Sequence, residues 1–295
     1  MNIVEVSPRD GLQNEAAVLS TDAKLRLIGG LVAAGARRIE ATSFVHPRLV
    51  PQMADAEAVA AGLPRGDVSW IGLVLNHRGL DRAIAAGMDE VNIVVVASDT
   101  FSRRNQGMST ADSISSWHQL ARQATAAGLR TTLTIAAAFG CPFEGEVAPE
   151  VVMDVLTKCL DVPPDEVALA DTIGVGVPAQ VHSLADVAAA AAPGIPLRWH
   201  FHNTRNTGYA NAIAAVDRGA SALDASVGGI GGCPFAPAAT GNIATEDLLY
   251  LLHRSGIRTG IDPDLLIDVL PALEQDIGHP VSGQLGRAGW FPDQR

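Results

Sequence analysis

Two histidines separated by one residue, His200 and His202, carry the clearest chemical signal in the 295-residue sequence. They lie at the end of a predicted β-strand, where side chains at positions i and i+2 point to the same side. Both imidazoles should therefore face one cavity, while Phe201 between them packs outward. Two such imidazoles and a carboxylate from another strand form a reasonable metal site. The alternative is a hydrogen-bonded histidine pair that binds no metal.

The doublet Arg9-Asp10 follows the first predicted strand and offers a permanent cation beside a carboxylate. Asp10 would complete the metal site, and oxygen and nitrogen ligands without thiolate suit Mg²⁺, Mn²⁺ or Co²⁺. Arg9 stays charged and can place two donors on one oxygen, which suits a developing thioester enolate. The competing interpretation is an exposed ion pair, which is common and weak.

Two further acids, Glu40 and Asp171, fall in predicted buried strands. A charged side chain in a buried strand is costly unless it is paired. Arg9, on the neighbouring strand, is the nearest plausible partner of Glu40. For both acids, a structural charge pair and a catalytic role remain open.

Cys233 lies in a glycine-rich loop after the last predicted strand. The chain has only three cysteines, without regular spacing, so a disulfide framework is not predicted and a reducing compartment is favoured. Most lone cysteines are inert, but one in a glycine-rich loop above a cationic site can be reactive. The alternative is that the loop cradles a phosphate group.

The elements that must position these groups alternate regularly between strand and helix. The predicted strands are 2–7, 38–44, 68–74, 90–98, 131–140, 166–172, 197–203 and 222–229. The predicted helices are 21–35, 52–62, 77–87, 110–128, 149–160, 178–192, 204–219 and 244–256, with Thr21 and Thr110 as N-caps. This pattern predicts an α/β protein with a closed (β/α)8 TIM barrel. An open doubly wound sheet is the alternative, although no dinucleotide-binding glycine motif follows the first strand.

We predict a single catalytic domain over residues 1–295, with the barrel over about 1–260 and a short C-terminal extension over about 261–295. A formal net charge of −11 argues against a nucleic-acid surface. No apolar run reaches the length of a transmembrane helix. A strand that begins at Asn2 leaves no room for a signal peptide, so a cytoplasmic protein is expected.

Several motifs together resemble the 3-hydroxy-3-methylglutaryl-CoA lyase family. The resemblance is collinear from about residue 2 to 260, and its combination of pieces is highly specific. The motifs are SPRDGLQNE at 7–15, EATSFV at 40–45, DTIGVG at 171–176, GGCPFAP at 231–237 and GN at 241–242.

The resemblance implies a metal-dependent barrel enzyme that cleaves the acyl-CoA to acetyl-CoA and acetoacetate by a retro-Claisen reaction, as in leucine degradation. It implies Mg²⁺ or Mn²⁺ as cofactor, and it is the main reason to include Asn242 as a ligand. The implied metal ligands are Asp10, His200, His202 and Asn242. The implied catalytic residues are Arg9 at the enolate, Cys233 as the acid of the loop, His200 in proton transfer, and Glu40 and Asp171 in support. The implied substrate-binding residues are Gln13, Thr172, Thr134 and Asn105. A homodimer is a further expectation from the family.

Two departures from the family pattern concern the acyl group. Where the family usually has Arg-x-Tyr in the fifth strand, this chain has Thr132 and Thr134, and Arg205 follows the seventh strand. Smaller residues at 132 and 134 predict a larger or differently shaped acyl group. The alternative substrates are citramalyl-CoA and 3-hydroxy-3-isohexenylglutaryl-CoA. A Claisen-type synthase is opposed by the missing Gly-Glu-Arg element, and a non-catalytic barrel by the complete ligand set.

Overall fold

The computed structural model describes residues 1–232 and 241–291, and within them eight parallel strands close into a barrel. This confirms the predicted (β/α)8 fold. The barrel order is β1-β8-β7-β6-β5-β4-β3-β2. The strands are β1 (Asn2–Glu5), β2 (Arg38–Ser43), β3 (Ser69–Val74), β4 (Glu90–Val96), β5 (Arg130–Ala136), β6 (Glu166–Asp171), β7 (Leu197–Phe201) and β8 (Ala222–Ala225).

Helices follow the strands and cover the barrel, because each presents an apolar stripe to the outer strand face. The first six are α1 (Thr21–Ala33), α2 (Ala56–Gly62), α3 (His77–Ala85), α4 (Asp99–Gln106), α5 (Thr110–Ala126) and α6 (Pro149–Cys159). The next three are α7 (Pro178–Ala191), α8 (Gly208–Asp217) and α9 (Thr245–Arg254). The outward residues of the strands join these helices in one core, in which Trp199 and Phe201 stack 5.9 Å apart.

Three of the differences between the structure and the predicted elements have a clear local cause. Helix α4 was not predicted because its sequence is mostly polar; the hydroxyl of Ser98 caps it by accepting from the Phe101 amide at 3.3 Å. The first strand ends early, and Ser7–Gly11 forms a π-helical turn. The caps of α1 and α5 are Ser20 and Ser109, one residue before the predicted threonines, because these serine hydroxyls accept from the amides three residues on.

The C-terminal segment returns to the carboxyl end of the barrel. It contains α10 (Pro263–Ile267), α11 (Leu270–Ile277) and α12 (Leu285–Ala288). The amide of Ser282 donates to the Gly228 carbonyl at 3.0 Å, in the turn that follows β8. The division of the chain into a barrel and an extension stays a prediction. Within residues 1–232 and 241–291, no helix combines the length and apolar character that a membrane crossing requires.

At the amino ends of the strands, an ionic cluster lies in the barrel interior. Arg38 on β2 donates to both carboxylate oxygens of Glu90 and to both of Glu166, over 2.6–3.2 Å. A small apolar group, formed by Val4, Val6, Ile71 and Ala222, packs inside the barrel.

Candidate active site

The carboxyl ends of the strands enclose a cavity of about 530 Å³, where active sites of this fold are found. It is lined by residues from many different elements. Eight of the predicted site residues lie on its wall: Arg9, Asp10, Gln13, Asn105, Thr134, Thr172, His200 and His202.

His200 and His202 point into this cavity from the end of β7, as their spacing predicted. Their Nε2 atoms lie 3.1 Å apart, and the Nε2 of His200 lies 3.9 Å from an oxygen of Asp10. Ligand atoms of these three residues all fall within 4.8 Å of one another. Two ring nitrogens at this separation match neighbouring ligands of one ion, since metal–nitrogen bonds are about 2.1 Å.

His200 is oriented by Asp224, a residue that the sequence analysis missed. Its Nδ1 lies 3.1 Å from Oδ2 of Asp224, on the neighbouring strand β8. A carboxylate at Nδ1 places the proton there and leaves Nε2 as a free lone pair toward the cavity. The available signal was a charged residue within an apolar strand, the same signal that identified Glu40.

The charges of this cluster suit a cation. Burial opposes ionisation of Asp10, yet Arg9 and then the two imidazoles lower the pKa of its carboxyl to about 2. Burial, together with the nearby His200, lowers the pKa of His202 to about 3, so its ring is neutral at pH 7. Burial alone would lower the pKa of His200, but the bond to Asp224 raises it above the ordinary value. The buried Nδ1 of His202 has no hydrogen-bond partner in the described part of the chain. One carboxylate and imidazole ligands therefore fit a divalent metal ion.

Asn242 lies beside Asp10 because the segment after the loop returns to the barrel. Its backbone forms a bridge with His202, and its side-chain amide donates to Oδ2 of Asp10 at 2.8 Å. Gly231 makes room for it: a Cβ there would lie 2.6 Å from the Asn242 amide nitrogen, and its φ is +104°.

Arg9 forms the predicted pair with Glu40. Its Nε and Nη2 donate to one oxygen of Glu40 at 2.8 and 2.6 Å, and its Nη1 donates to Asp10 at 2.7 Å. The π-helical turn Ser7–Gly11 places Arg9 inside the barrel, and π-turns are frequent at functional sites. A guanidinium has five N–H donors, so two remain for a substrate oxygen.

Asn92 on β4 also belongs to this cluster, although the sequence analysis did not identify it. Its amide donates to the second oxygen of Glu40 at 2.9 Å, and its carbonyl accepts from the Thr134 hydroxyl at 2.7 Å. Of the two threonines on β5 that depart from the family pattern, Thr134 lines the cavity. Thr132 is fully buried one layer deeper, 3.4 Å from Glu166.

Asp171 braces a loop. Its two carboxylate oxygens accept from the amides of Val175 and Gly176, each at 2.9 Å, and burial raises the pKa of this carboxyl. Arg205 is exposed, and its guanidinium donates to the carbonyls of Ile173 and Gly174. Both residues therefore hold the loop after β6 in place.

The other predicted site residues divide into three cases. Thr172 lies on the cavity wall, and its hydroxyl accepts a hydrogen bond from the Ala137 amide at 2.9 Å. Gln13 and Asn105 lie on the wall, and the buried Oε1 of Gln13 lacks a hydrogen-bond partner in the described segments. Cys233 lies outside the described residues.

A comparison with family models identifies the protein family of this chain. The model described as HMGL-like matches residues 1–272. The chain belongs to the HMGL-like family. The predicted resemblance to 3-hydroxy-3-methylglutaryl-CoA lyases is therefore confirmed, and the protein is a carbon–carbon lyase.

Curated relatives match over nearly the whole chain. A hydroxymethylglutaryl-CoA lyase from Pseudomonas mevalonii is 43% identical over 98% of this chain and 93% of its own length. An (R)-citramalyl-CoA lyase from Chloroflexus aurantiacus is 44% identical over 98% of this chain and 95% of its own. These two relatives have different acyl substrates.

Solved structures share the fold. An HMG-CoA lyase from Acinetobacter baumannii, in complex with coenzyme A and 3-methylmalate, aligns with a TM-score of 0.95 and 40% identity over 100% of this chain and 97% of that one. An enzyme from Pseudomonas aeruginosa aligns with a TM-score of 0.93 and 38% identity over 97% and 96% of the two chains.

Proposed function

We propose that this protein cleaves a 3-hydroxyacyl-CoA of the 3-hydroxy-3-methylglutaryl-CoA type into acetyl-CoA and a ketoacid, with a divalent metal ion. The observation that carries the proposal is the convergence of Asp10, His200 and His202 beside Arg9 in a cavity of about 530 Å³. Such a group offers an electrophilic centre and a fixed cation at one place, which the retro-Claisen reaction needs.

Asp10, His200, His202 and Asn242 would hold Mg²⁺ or Mn²⁺. When bound, the ion supplies Lewis-acid polarisation of the substrate oxygens. A base at the cavity takes the proton of the 3-hydroxyl group, and His200, whose Nδ1 faces Asp224, assists this proton transfer without accepting the proton itself.

The bond between C2 and C3 then breaks, and its electron pair passes to the thioester as an enolate. The two free donors of Arg9 stabilise the enolate oxygen. Glu40 fixes the plane of Arg9, and the thiol of Cys233 returns a proton to C2. Gln13, Thr172, Thr134 and Asn105 contact the substrate, and Asp171 keeps the loop after β6 in position.

Citramalyl-CoA is the second candidate substrate, and two observations favour it. A relative at 44% identity is an (R)-citramalyl-CoA lyase, and another relative binds 3-methylmalate, a four-carbon hydroxydicarboxylate with a methyl branch. Cleavage of citramalyl-CoA would give acetyl-CoA and pyruvate.

The test is acetyl-CoA release by the purified protein with Mg²⁺ or Mn²⁺. The thioesters to be assayed are 3-hydroxy-3-methylglutaryl-CoA and citramalyl-CoA, each as both enantiomers. The third thioester is 3-hydroxy-3-isohexenylglutaryl-CoA. The ketoacid identifies the substrate, because the first gives acetoacetate and the second gives pyruvate. EDTA should abolish release and added metal should restore it. Absence of acetyl-CoA from every thioester would contradict the proposal. A homodimer, a cytoplasmic location and a role in leucine degradation stay predictions.

A further inference from the structure

A chain of buried hydrogen bonds leads from Arg9 away from the metal ligands and into the cavity wall. Arg9 binds one oxygen of Glu40, and Asn92 donates to the other at 2.9 Å. The hydroxyl of Thr134 in turn donates a hydrogen bond to the side-chain carbonyl of Asn92 at 2.7 Å. The two inner members, Glu40 and Asn92, are only 1% and 3% exposed, so water cannot readily replace these bonds.

The chemistry of the chain allows only one orientation of Asn92. Glu40 is a carboxylate paired with a guanidinium, so it only accepts hydrogen bonds. The side chain of Asn92 must therefore turn its amide group to Glu40 and its carbonyl to Thr134. The hydroxyl of Thr134 must donate in turn. Asn92 thus connects the cation to the cavity wall.

The strand register brings these groups to one wall. Asn92 on β4 and Thr134 on β5 lie on neighbouring strands, and Asn92 pairs in register with Thr132. Glu40 reaches Asn92 from β2 across the barrel interior, and both Asn92 and Thr134 line the cavity.

We propose that Asn92 is a positioning residue that holds Glu40, and through it the guanidinium of Arg9, in the orientation that meets the thioester. The proposal rests on the proposed function for its catalytic consequence. Loss of the amide would leave one oxygen of Glu40 without a partner and free the carboxylate to rotate. Arg9 would then keep its charge but lose its fixed direction, and fixed direction is what makes an enolate-stabilising donor effective.

The first test replaces Asn92 with leucine, which has a similar shape and no hydrogen bond. We expect kcat to fall about 10- to 100-fold, because the buried carboxylate of Glu40 loses one hydrogen-bond donor. KM should change about threefold or less. Thr134→Val is the matched variant, because it breaks only the far bond and keeps the bond between Asn92 and Glu40. It should raise KM and lower kcat less than Asn92→Leu does.

The second test, Asn92→Asp, separates positioning from a general loss of packing. When protonated, the introduced carboxyl can donate to Glu40 and accept from Thr134 as the native amide does, whereas its ionised form faces the Glu40 carboxylate. Like charges this close favour retention of a proton. The kcat of Asn92→Asp relative to the native protein should therefore approach one near about pH 5.5 and fall at least about tenfold by about pH 8. Circular dichroism at both pH values should show a folded variant.

A third measurement does not depend on turnover. The Nε–H of Arg9, identified by its absence in Arg9→Lys, should exchange slowly with solvent in nitrogen-15 NMR spectra. It should exchange at least about tenfold faster in Asn92→Leu than in the native protein and Thr134→Val. If the native protein releases no acetyl-CoA, the proposed function fails and this exchange still decides the role of Asn92. An unchanged kcat at the higher pH in both Asn92 variants, or unchanged exchange, overturns the inference.

Discussion

The barrel has a cavity of similar volume at each end, about 540 Å³ at the amino ends of the strands and about 530 Å³ at the carboxyl ends. Both contain arginine and carboxylate side chains. At the amino end, Arg38 satisfies both oxygens of Glu90 and of Glu166. At the carboxyl end, ligand atoms of Asp10, His200 and His202 converge instead on one point within 4.8 Å.

The two cavities have similar volumes but differ in how their charged side chains are paired. The pairing of these side chains, rather than the cavity volume, therefore distinguishes a structural cavity from a reactive one. At the amino end the carboxylates of Glu90 and Glu166 are paired with a cation that stabilises the fold, and the groups without a hydrogen-bond partner in the described residues are the Nε and Nη1 donors of the neighbouring Arg198. The carboxyl end keeps lone pairs and donors unused: Nδ1 of His202 and Oε1 of Gln13 are buried without partners in the described residues. Such groups are costly in a fold unless a ligand satisfies them. Variants at the two ends should therefore fail in different ways.

Removal of a ligand at the carboxyl end should have the largest effect. His202→Ala deletes one of two imidazoles at the candidate metal site, so we expect acetyl-CoA release to fall at least about 1,000-fold with little loss of stability. Steady-state assays with Mn²⁺ and a calorimetric metal titration measure both effects. His77→Ala, an exposed histidine bonded to two glutamines, is the control. Full activity of His202→Ala would remove the metal site from the proposal.

Removal of the central cation at the amino end should have the opposite result. Arg38→Leu leaves Glu90 and Glu166 buried without their main partner, so the free energy of unfolding should fall by about 3–5 kcal/mol. The folded fraction should release acetyl-CoA as before. Urea unfolding and assays at low temperature check the two parts. Arg37→Leu, which removes an exposed neighbour in the same cavity, should cost less than about 1 kcal/mol. Equal losses for both variants would contradict the difference between the two ends.

Glu246, a buried carboxylate with no cationic partner in the part of the chain that the structure describes, sharpens the comparison. Burial raises the pKa of Glu246 to about 7, whereas Arg38 outweighs burial and lowers the pKa of Glu90. The ordinary value for Glu246 is 4.5, so the unfolded chain loses this proton first as pH rises. Stability should therefore decline between about pH 4.5 and 7, by about 3 kcal/mol from this group.

Glu246→Gln should remove that part of the decline. Urea unfolding at about pH 5 and about pH 7.5 gives the change for the native protein and the variant, and the variant should lose less stability between them. Glu150→Gln, at an exposed position in the first turn of α6, is the control and should keep the native pH dependence. The same decline in Glu246→Gln and the native protein would show that this carboxyl does not titrate in that window.

How far the sequence predicted the site depended on whether the signal was local. Side-chain alternation in a strand was enough to place His200 and His202 on one side, and a charge in an apolar strand was enough to pair Glu40 with Arg9. Asn242 needed the family resemblance, because its position depends on a backbone bridge to His202 that loop spacing does not encode. Asn92 is an uncharged residue, so its burial raised no question until its partners were visible.

Fold prediction had the same limit. The periodic apolar segments predicted all eight barrel strands, while α4 was missed because its sequence is mostly polar. The first strand was predicted too long, since a π-helical turn at Ser7–Gly11 arises from tertiary packing against the turn after β8. Local patterns thus predicted the barrel, and contacts between distant segments decided its functional end.

The smallest expected effect concerns Asp224, which connects the two ends. It lies 3.1 Å from Nδ1 of His200 and 3.3 Å from Nε of Arg198, and Arg198 in turn lies 3.6 Å from Glu166. Asp224→Asn keeps the shape but can donate to Nδ1, which would place the ring proton on Nε2, where a metal must bind. We expect metal affinity to fall about 10- to 100-fold, a typical effect of losing a carboxylate that orients a histidine ligand.

Calorimetric titration with Mn²⁺ measures this loss, and urea unfolding shows whether Arg198 also depends on the charge of Asp224. If His200 needs the carboxylate for its tautomer, metal affinity should fall more than stability does, because Arg198 retains Glu166. A variant that loses stability and keeps its metal affinity would assign Asp224 to the ionic cluster of the amino end. In that case the paired charges of the amino-end cluster would extend as far as the pair His200 and His202.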